Sequence, residues 1–161
     1  MEKGKAFFLV GHRNWGKSRT LRALTNGSRR WYIVVKAVRF FIRRRSNDDV
    51  RDDFIRFLNT LDPKQKPYVI VALCPKFDER STNSKKRNTE KMLRQLREKY
   101  NLFFFVLIHQ WHENGNGRIS DGEIQMLRRL GHVELYRANN RRDDADITRA
   151  KKFRKYIERK L

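Results

Sequence analysis

The sequence feature that most constrains the fold is the stretch Gly11–Ser18, which matches the pattern G-x-x-x-x-G-K-[ST]. It follows the apolar run Ala6–Val10 and leads into a helical-looking segment, Ser18–Thr25. In such a strand–loop–helix, backbone N–H groups and the positive end of the helix dipole surround phosphate oxygens. Lys17 would reach the terminal phosphates, and the Ser18 hydroxyl would bind Mg²⁺. We therefore expect binding of a nucleoside triphosphate or a similar ligand, the alternative being an ordinary glycine turn.

Length and composition predict a folded protein with one domain, residues 1–161, that is large enough to bury a core. The single cysteine, Cys74, excludes an intrachain disulfide and suits a reducing compartment. No apolar stretch approaches the roughly 20 residues of a membrane span. The segment Met1–Lys5 is too short before its strand to act as a signal peptide. We expect a cytoplasmic protein without a membrane span.

The charge balance is strongly basic, with 39 lysines and arginines against 18 aspartates and glutamates, a net charge of +21. Such a surplus cannot be buried, so it coats the surface and attracts polyanions. DNA or RNA is the leading candidate partner, followed by an acidic protein and an anionic membrane.

Strand-like and helix-like segments alternate about five times along the chain. This order predicts an α/β three-layer sandwich with an about five-stranded, mainly parallel sheet, helices on both faces and right-handed crossovers. The continuous apolar run Tyr68–Leu73 is typical of a central parallel strand. The runs Trp31–Val35 and Val38–Ile42 predict either one long strand or a hairpin that turns at Lys36 and Ala37.

Three further segments have distinct local signals. Residues 75–88 are polar and predict a loop. The spacing of Ser120 and Glu123 predicts a capping box that opens a helix from Asp121 to Leu130, although residues 112–123 also approach the pattern of a calcium-binding EF-hand loop. The final helix is predicted to bury Ile147, Ala150, Phe153, Ile157 and Leu161. Its solvent face is predicted to carry Arg149, Lys151, Lys152, Arg154, Lys155, Arg159 and Lys160.

Ligands of parallel sheets bind beyond the carboxyl ends of the strands. We therefore expect five loops around one crevice: residues 11–18, 43–49, 74–80, 109–118 and 139–144. Tryptophans in two of these loops, Trp15 and Trp111, would either stack on a base or simply pack.

With these features the chain resembles a small single-domain P-loop NTPase with the proportions of the compact P-loop kinases. The resemblance covers the whole chain in architecture and residues 11–18 by a specific motif. It implies ATP or GTP with Mg²⁺ as ligands. The residues that it implies for phosphate binding are Gly11, His12, Arg13, Asn14, Trp15, Gly16, Lys17, Ser18 and Arg19.

The resemblance also implies two flanking subsites. The loop after the second strand, here Arg43, Arg44 and Arg45, would bind the phosphoryl acceptor or a polyanion. The loop after the last strand would contact the base. Its residues here are Asn139, Asn140, Arg141 and Arg142, and residues 141–144 are similar to the Arg-x-Asp-Asp at the end of an adenylate-kinase lid.

One departure from the family concerns the metal. A Walker B strand ends in an acidic residue that helps to hold Mg²⁺, whereas the run here ends Ala72-Leu73-Cys74-Pro75. Either Asp78 returns to the metal, or Asp48 or Asp49 replaces it, or the metal site is weak.

Two functions therefore remain open. The first is an enzyme that moves the terminal phosphate of Mg-ATP to water or a small acceptor, with Asp48 or Asp78 as base or metal ligand. Lys17 would assist the transfer together with one or more arginines from the set Arg43, Arg44, Arg45, Arg118, Arg141 and Arg142. The alternative is a basic nucleic-acid-binding module or assembly subunit whose nucleotide site is regulatory or residual.

Overall fold

The computed structural model describes residues 2–47, 54–75, 84–108 and 118–161, which form an α/β fold around a six-stranded, mostly parallel sheet. The strands are β1 (Gly4–Val10), β2 (Tyr32–Val35), β3 (Val38–Arg43), β4 (Tyr68–Leu73), β5 (Tyr100–Leu107) and β6 (His132–Tyr136). The helices are α1 (Lys17–Leu24), α2 (Phe54–Thr60), α3 (Ser84–Leu96), α4 (Asp121–Leu130) and α5 (Asp146–Lys160). The strand order across the sheet is β2-β3-β4-β1-β5-β6, and the predicted α/β class is confirmed.

The sheet has six strands because the chain turns between β2 and β3, which pair antiparallel at one edge. Lys36 and Ala37 form the turn with φ of 49° and 62°. Positive φ at both central residues is the pattern of a type I′ turn, which matches the twist of the flanking strands. Of the two alternatives left open by the sequence, the hairpin is the one that forms.

Strand β1 occupies the centre of the sheet, in parallel register with β4 on one side and β5 on the other. Its residues Ala6–Val10 are fully buried. A strand that is apolar at every position is stable only where both faces are covered.

Helices cover both faces. The ring of Phe7 in β1 contacts Tyr156 of α5, and α5 packs against α1. Phe41 of β3 is aligned across the sheet with the residue that precedes Phe7 in β1, so its side chain lies on the opposite face. There it stacks on Phe57 of α2. On that face α2 packs against α3, and Arg97 after α3 donates to the main-chain oxygen of Arg129 in α4. The predicted three layers are therefore present.

Two details of the predicted helices are wrong. Helix α3 begins at Ser84, within the segment 75–88 that was predicted to be a loop. In α5 the apolar spacing correctly predicts burial of Ala150, Phe153 and Ile157, but Ile147 is 65% and Leu161 37% exposed. The buried stripe includes Arg149 instead, which was predicted to face solvent. Apolar periodicity cannot predict this, because the burial of Arg149 depends on a nearby carboxylate and on a distant main-chain oxygen, both described below.

The helices of the described ranges are short. The longest, α5, has 15 residues. None of the helices within the described residues is both long and apolar enough to cross a membrane.

Candidate functional site

The stretch 11–18, called here the glycine loop, leaves the carboxyl end of β1 at the point where the strand order reverses. The Gly11 N–H donates to the main-chain oxygen of Leu73, the last residue of β4, at 3.0 Å. The Asn47 side chain, beyond β3, pairs with both backbone groups of Cys74, at 3.0 Å and 2.7 Å. The ends of three strands thus meet beside the glycine loop. This is the position at which open parallel sheets bind ligands.

The backbone of the glycine loop has a conformation suited to an anion. Asn14 and Gly16 have φ of 65° and 80°, separated by Trp15, whose φ is not positive. Alternation of this kind is typical of a concave nest of N–H donors, in which the Trp15 N–H here donates to the His12 oxygen at 3.2 Å. Gly16 is also the residue that caps α1, and the Thr20 N–H makes the first bond of the helix, to the Gly16 oxygen at 2.9 Å. The earlier N–H groups of the helix therefore lack an intrahelical acceptor.

Helix α1 itself supplies no group that compensates the positive end of its dipole. Within α1 and its cap, all of which the structure describes, Gly16 supplies no capping side chain and the first turn carries no acidic residue. A negative ligand at this end would gain from both the dipole and the open N–H groups.

The side chain of Lys17 folds back across the glycine loop. Its ammonium donates to the main-chain oxygens of Gly11 at 2.6 Å and His12 at 2.8 Å, and the residue is only 7% exposed. Arg13 and Asn14 at the tip and Ser18 and Arg19 on the first helical turn are exposed. The structure thus brings the residues predicted for phosphate binding, 11–19, together around one turn.

An aromatic pair supports the loop from inside. Trp15 is buried, so of its two predicted roles packing is the one observed, and the His12 ring meets it edge-on at 4.9 Å. Trp111 lies outside the described residues. His12 also approaches α4: its Nε2 atom lies 3.6 Å from Oε1 of Glu123, at the start of that helix. Glu123 and Ser120 form the predicted capping box there, which is confirmed.

Arg149 of α5 supports the glycine loop from behind. It is 3% exposed, and its Nη1 donates to the main-chain oxygen of Trp15. Its Nε also donates to Asp144 Oδ1 at 2.9 Å, and both side chains of this ion pair are almost completely buried. A Cβ built on Gly16 would lie 3.1 Å from the Arg149 guanidinium. The sequence does not predict the contact between Arg149 and Trp15, because it joins distant segments of the chain. The only sequence signal for a buried Arg149 is the carboxylate of Asp144, five positions earlier.

The ion pair also brings the predicted base-binding loop to the site. Asn139, Asn140, Arg141 and Arg142 are exposed in the turn before Asp144. That turn is held by the Asp143 N–H, which donates to Asn140 Oδ1 at 2.9 Å, and by the Tyr136 hydroxyl, which donates to the Asp143 oxygen. Burial raises the pKa of Tyr136, so the hydroxyl keeps the proton that it donates. The loop therefore stands beside the glycine loop with its polar side chains outward.

The three arginines predicted to bind an acceptor have different surroundings. The Arg43 guanidinium lies over the Phe57 ring, 4.5 Å from its centroid. Arg44 donates to Thr25 Oγ1 at 3.2 Å and to the Ser28 oxygen at 3.0 Å, and burial together with Arg22 lowers its pKa. Arg45 is exposed. Arg44 therefore joins the end of β3 to the turn after α1, while Arg45 keeps its guanidinium in solvent.

Arg118 lies at the same edge of the sheet as the glycine loop. Its neighbour Ile119 donates through the backbone to Ile108, just beyond β5, at 3.1 Å. Its side chain is exposed, 4.0 Å from Asp121. A surface ion pair at this distance contributes little, so the guanidinium can leave it for an anion at small cost.

The acidic groups predicted for catalysis and metal binding, Asp48 and Asp78, lie outside the described residues. Within the described ranges, no group of three histidine, cysteine, aspartate or glutamate residues is arranged to hold a metal ion. Two carboxylates that the sequence did not assign to catalysis or metal binding do lie next to the loop. They are Glu123, beside His12, and Asp146, whose Oδ1 is 3.6 Å from a Cβ built on Gly16.

Comparisons with protein-family models, curated protein sequences and solved structures returned no match to this chain. Its function is therefore inferred from the chemistry of the glycine loop and its surroundings.

Proposed function

We propose that the chain is a P-loop nucleotide-binding protein that takes the phosphates of ATP or GTP at the glycine loop. One observation carries this proposal: the left-handed Gly16, the uncapped start of α1 and the Lys17 ammonium converge on one turn. Each of these features favours a multiply charged anion with several oxygens. The alternative, an ordinary glycine turn, requires only the backbone conformation. It does not account for the inward ammonium of Lys17 or for the helix start without a capping side chain.

Phosphate would replace groups that the loop now uses on itself. Lys17 is bonded to two neutral carbonyls. Exchange of these for phosphate oxygens would keep the charged donor and make the acceptor anionic as well, which adds ion-pair attraction to the hydrogen bonds. The N–H groups of the first turn of α1 would bind the remaining oxygens.

The residues present also fit Mg²⁺ in part. The Ser18 hydroxyl is exposed on the first turn of α1, the position from which this motif contributes a metal ligand. Mg²⁺ held there would supply neutralisation of the charge that develops during transfer. The acidic ligand remains a prediction, with Asp78 or Asp48 as the sequence candidates.

Transfer would follow the in-line course of phosphoryl chemistry. The oxygen of water or of a small acceptor bonds to the terminal phosphorus while the bond to the bridging oxygen breaks, and the nucleoside diphosphate leaves. The proton of the attacking oxygen passes to a carboxylate, for which Glu123 joins Asp48 and Asp78 as a candidate. Arg118, Arg141 and Arg142 are exposed close to this edge and would stabilise the transferring group.

Calorimetric titration with Mg-ATP and Mg-GTP tests binding, and phosphate release tests turnover. We expect saturable binding by the wild type and a loss of at least about ten-fold in Lys17→Met, which keeps the aliphatic stem but removes the charge. Lys151→Met, on the exposed face of α5, is the matched control and should bind like the wild type. The proposal fails if the wild type binds neither nucleotide, or if Lys17→Met binds as tightly as the control.

A second candidate function is a nucleic-acid-binding module with a regulatory nucleotide site. It is favoured by a charge asymmetry, since residues 3–47 contain no aspartate or glutamate. Their basic residues are Lys3, Lys5, Arg13, Lys17, Arg19, Arg22, Arg29, Arg30, Lys36, Arg39, Arg43, Arg44 and Arg45. Phosphate release measured with and without DNA or RNA separates a plain NTPase, a nucleic-acid-coupled NTPase and a binding module without turnover. An acidic protein partner would instead leave the rate insensitive to nucleic acid.

A further inference from the structure

The edge hairpin carries a surface of aromatic rings and cations that the nucleotide site does not use. We call it the edge patch and define it by Trp31, Tyr32, Arg39, Phe41 and Lys66. Trp31 is 56% exposed, far more than a tryptophan that serves only to fill the core. Tyr32, Arg39 and Phe41 lie on β2 and β3, which form one margin of the sheet, while Trp31 directly precedes β2 and Lys66 lies in the turn before β4.

The rings of the edge patch contact one another. The Trp31 ring lies 5.2 Å from the Tyr32 ring and 5.5 Å from the Phe41 ring. Phe41 in turn stacks on Phe57 of α2, with the ring centroids 6.2 Å apart. Trp31 is therefore the outermost ring of a row that is anchored on the body of the protein.

Cations lie over the faces of these rings. The Arg39 guanidinium is 4.1 Å from the Tyr32 centroid and 5.4 Å from that of Trp31. The Lys66 ammonium is 4.3 Å from the Phe41 centroid. Such contacts hold positive charge at defined positions beside an exposed indole.

We propose that the edge patch binds single-stranded nucleic acid, with a base stacked on Trp31 and the backbone phosphates along Arg39 and Lys66. Every base has a π-face, and a flexible single strand can present its bases and its phosphates to one surface together. A duplex keeps its bases stacked internally and would contact only the cations. This inference rests on the second candidate function, nucleic-acid binding, and identifies its surface.

Two other occupants fit less well. An acidic peptide would satisfy the cations but has no flat ring to place on the indole. A second copy of the chain, pairing through the edge strand β2, would bring together two proteins of net charge +21.

Fluorescence anisotropy with labelled 20-nucleotide single strands, oligo-dT and oligo-rU, tests the proposal, with a duplex of the same length as the comparison. We expect Trp31→Ala to weaken single-strand binding by about ten-fold or more, because a stacked base is lost, and to leave duplex binding unchanged. Trp31→Phe keeps a ring and should retain most of the affinity. Ile147→Ala is the matched control, because it removes an equally exposed apolar side chain from α5 and should change nothing.

Arg39→Ala separates charge from stacking. Loss of one phosphate contact should make the negative slope of log affinity against log salt shallower by roughly 0.7 for a single strand. Trp31→Ala should leave this slope unchanged. Lys151→Ala, which removes a charge from α5, should alter neither the slope nor the preference for single strands.

The outcomes distinguish this inference from the function on which it rests. If the wild type retains no oligonucleotide even at low salt, both fail. If it binds but Trp31→Ala binds normally, or loses affinity for duplex and single strand alike, only the edge patch is wrong. A Trp31-dependent interaction with polyglutamate, or a Trp31-dependent dimer in sedimentation, with unchanged oligonucleotide binding would assign the patch to the other occupants.

Discussion

The guanidinium of Arg149 donates to the main-chain oxygen of Trp15, a contact that spans 134 residues of sequence. Asp144 holds the other edge of the same guanidinium. The shape of the glycine loop therefore depends on a buried ion pair in the last part of the chain. Because an isolated charge in this position would be costly, both partners are needed for the loop to keep its conformation.

Replacement of Arg149 by methionine should lower the free energy of unfolding by about 3–5 kcal/mol, because Asp144 would stay buried without its partner. Arg149→Lys should be little more stable than Arg149→Met, since an ammonium cannot bond to Asp144 and Trp15 with the geometry of a guanidinium. The double variant Arg149→Met with Asp144→Leu should recover stability relative to Arg149→Met alone. Urea unfolding measures all three, and a loss below about 1 kcal/mol for Arg149→Met would contradict the role given to the pair.

Gly16→Ala and Gly27→Ala form a matched pair. Their φ values are 80° and 79°, so both substitutions carry the cost of a left-handed alanine, about 1–2 kcal/mol. Around Gly27 no atom of the described residues lies within 4 Å of the added Cβ, whereas at Gly16 the Arg149 guanidinium lies 3.1 Å away. Thermal unfolding should therefore show the larger loss for Gly16→Ala. Equal losses would mean that the guanidinium moves aside at no cost.

Ligand stabilisation should follow the phosphates rather than the base. Inorganic tripolyphosphate and ATP should both raise the Tm, and adenosine should not, because the donors on the glycine loop are directed at oxyanions. At a ligand concentration of about 100 times Kd the expected stabilisation is about 2.7 kcal/mol. Lys17→Met, with an affinity at least about ten-fold weaker, should lose half of this stabilisation or more. Stabilisation by adenosine that equals that by ATP would place the main contacts elsewhere.

Stability at alkaline pH should depend on Tyr100. Its hydroxyl donates to the main-chain oxygen of Lys66 at 2.7 Å, and burial, with a smaller effect of Asp62, raises its pKa from 10.0 to about 12. The folded protein therefore holds this proton more tightly, and the contribution is complete below pH 10 and lost as pH rises towards 12. Between these values the wild type should lose about 2 kcal/mol more than Tyr100→Phe in denaturant titrations. Parallel pH profiles for the two proteins would contradict this.

The parts of the fold that were predicted correctly have local signals. Helix α4 has the predicted bounds, Asp121–Leu130, because a capping box opens it. The apolar run of β4 also predicted its place as a central parallel strand, because burial on both faces is visible in the composition of the strand itself.

The remaining features depend on conformations or contacts that leave no local trace. Neither Lys36 nor Ala37 is a residue type that favours positive φ, so the hairpin turn could not be separated from a continuous strand. The glycine loop was identifiable because its residues are contiguous. Its supports, Arg149 and Glu123, come from segments more than 100 positions away, and only tertiary packing reveals them. The assignments of Asp48, Asp78 and the arginines to catalysis stay predictions.

The central position of β1 has a consequence for how the protein acquires its shape. Of the six strands, β1 comes earliest in the sequence, yet its partners are β4 and β5, which begin at residues 68 and 100. Pairing across such separations is slow because closing the long intervening loops costs entropy. A nascent chain therefore exposes residues 3–47, with all their positive charge, before the partner strands of β1 have been synthesised. The glycine loop is then complete only after α5 docks. A chain arrested before α5 should therefore lack the proposed nucleotide site, so that binding of the proposed ligand would report complete folding.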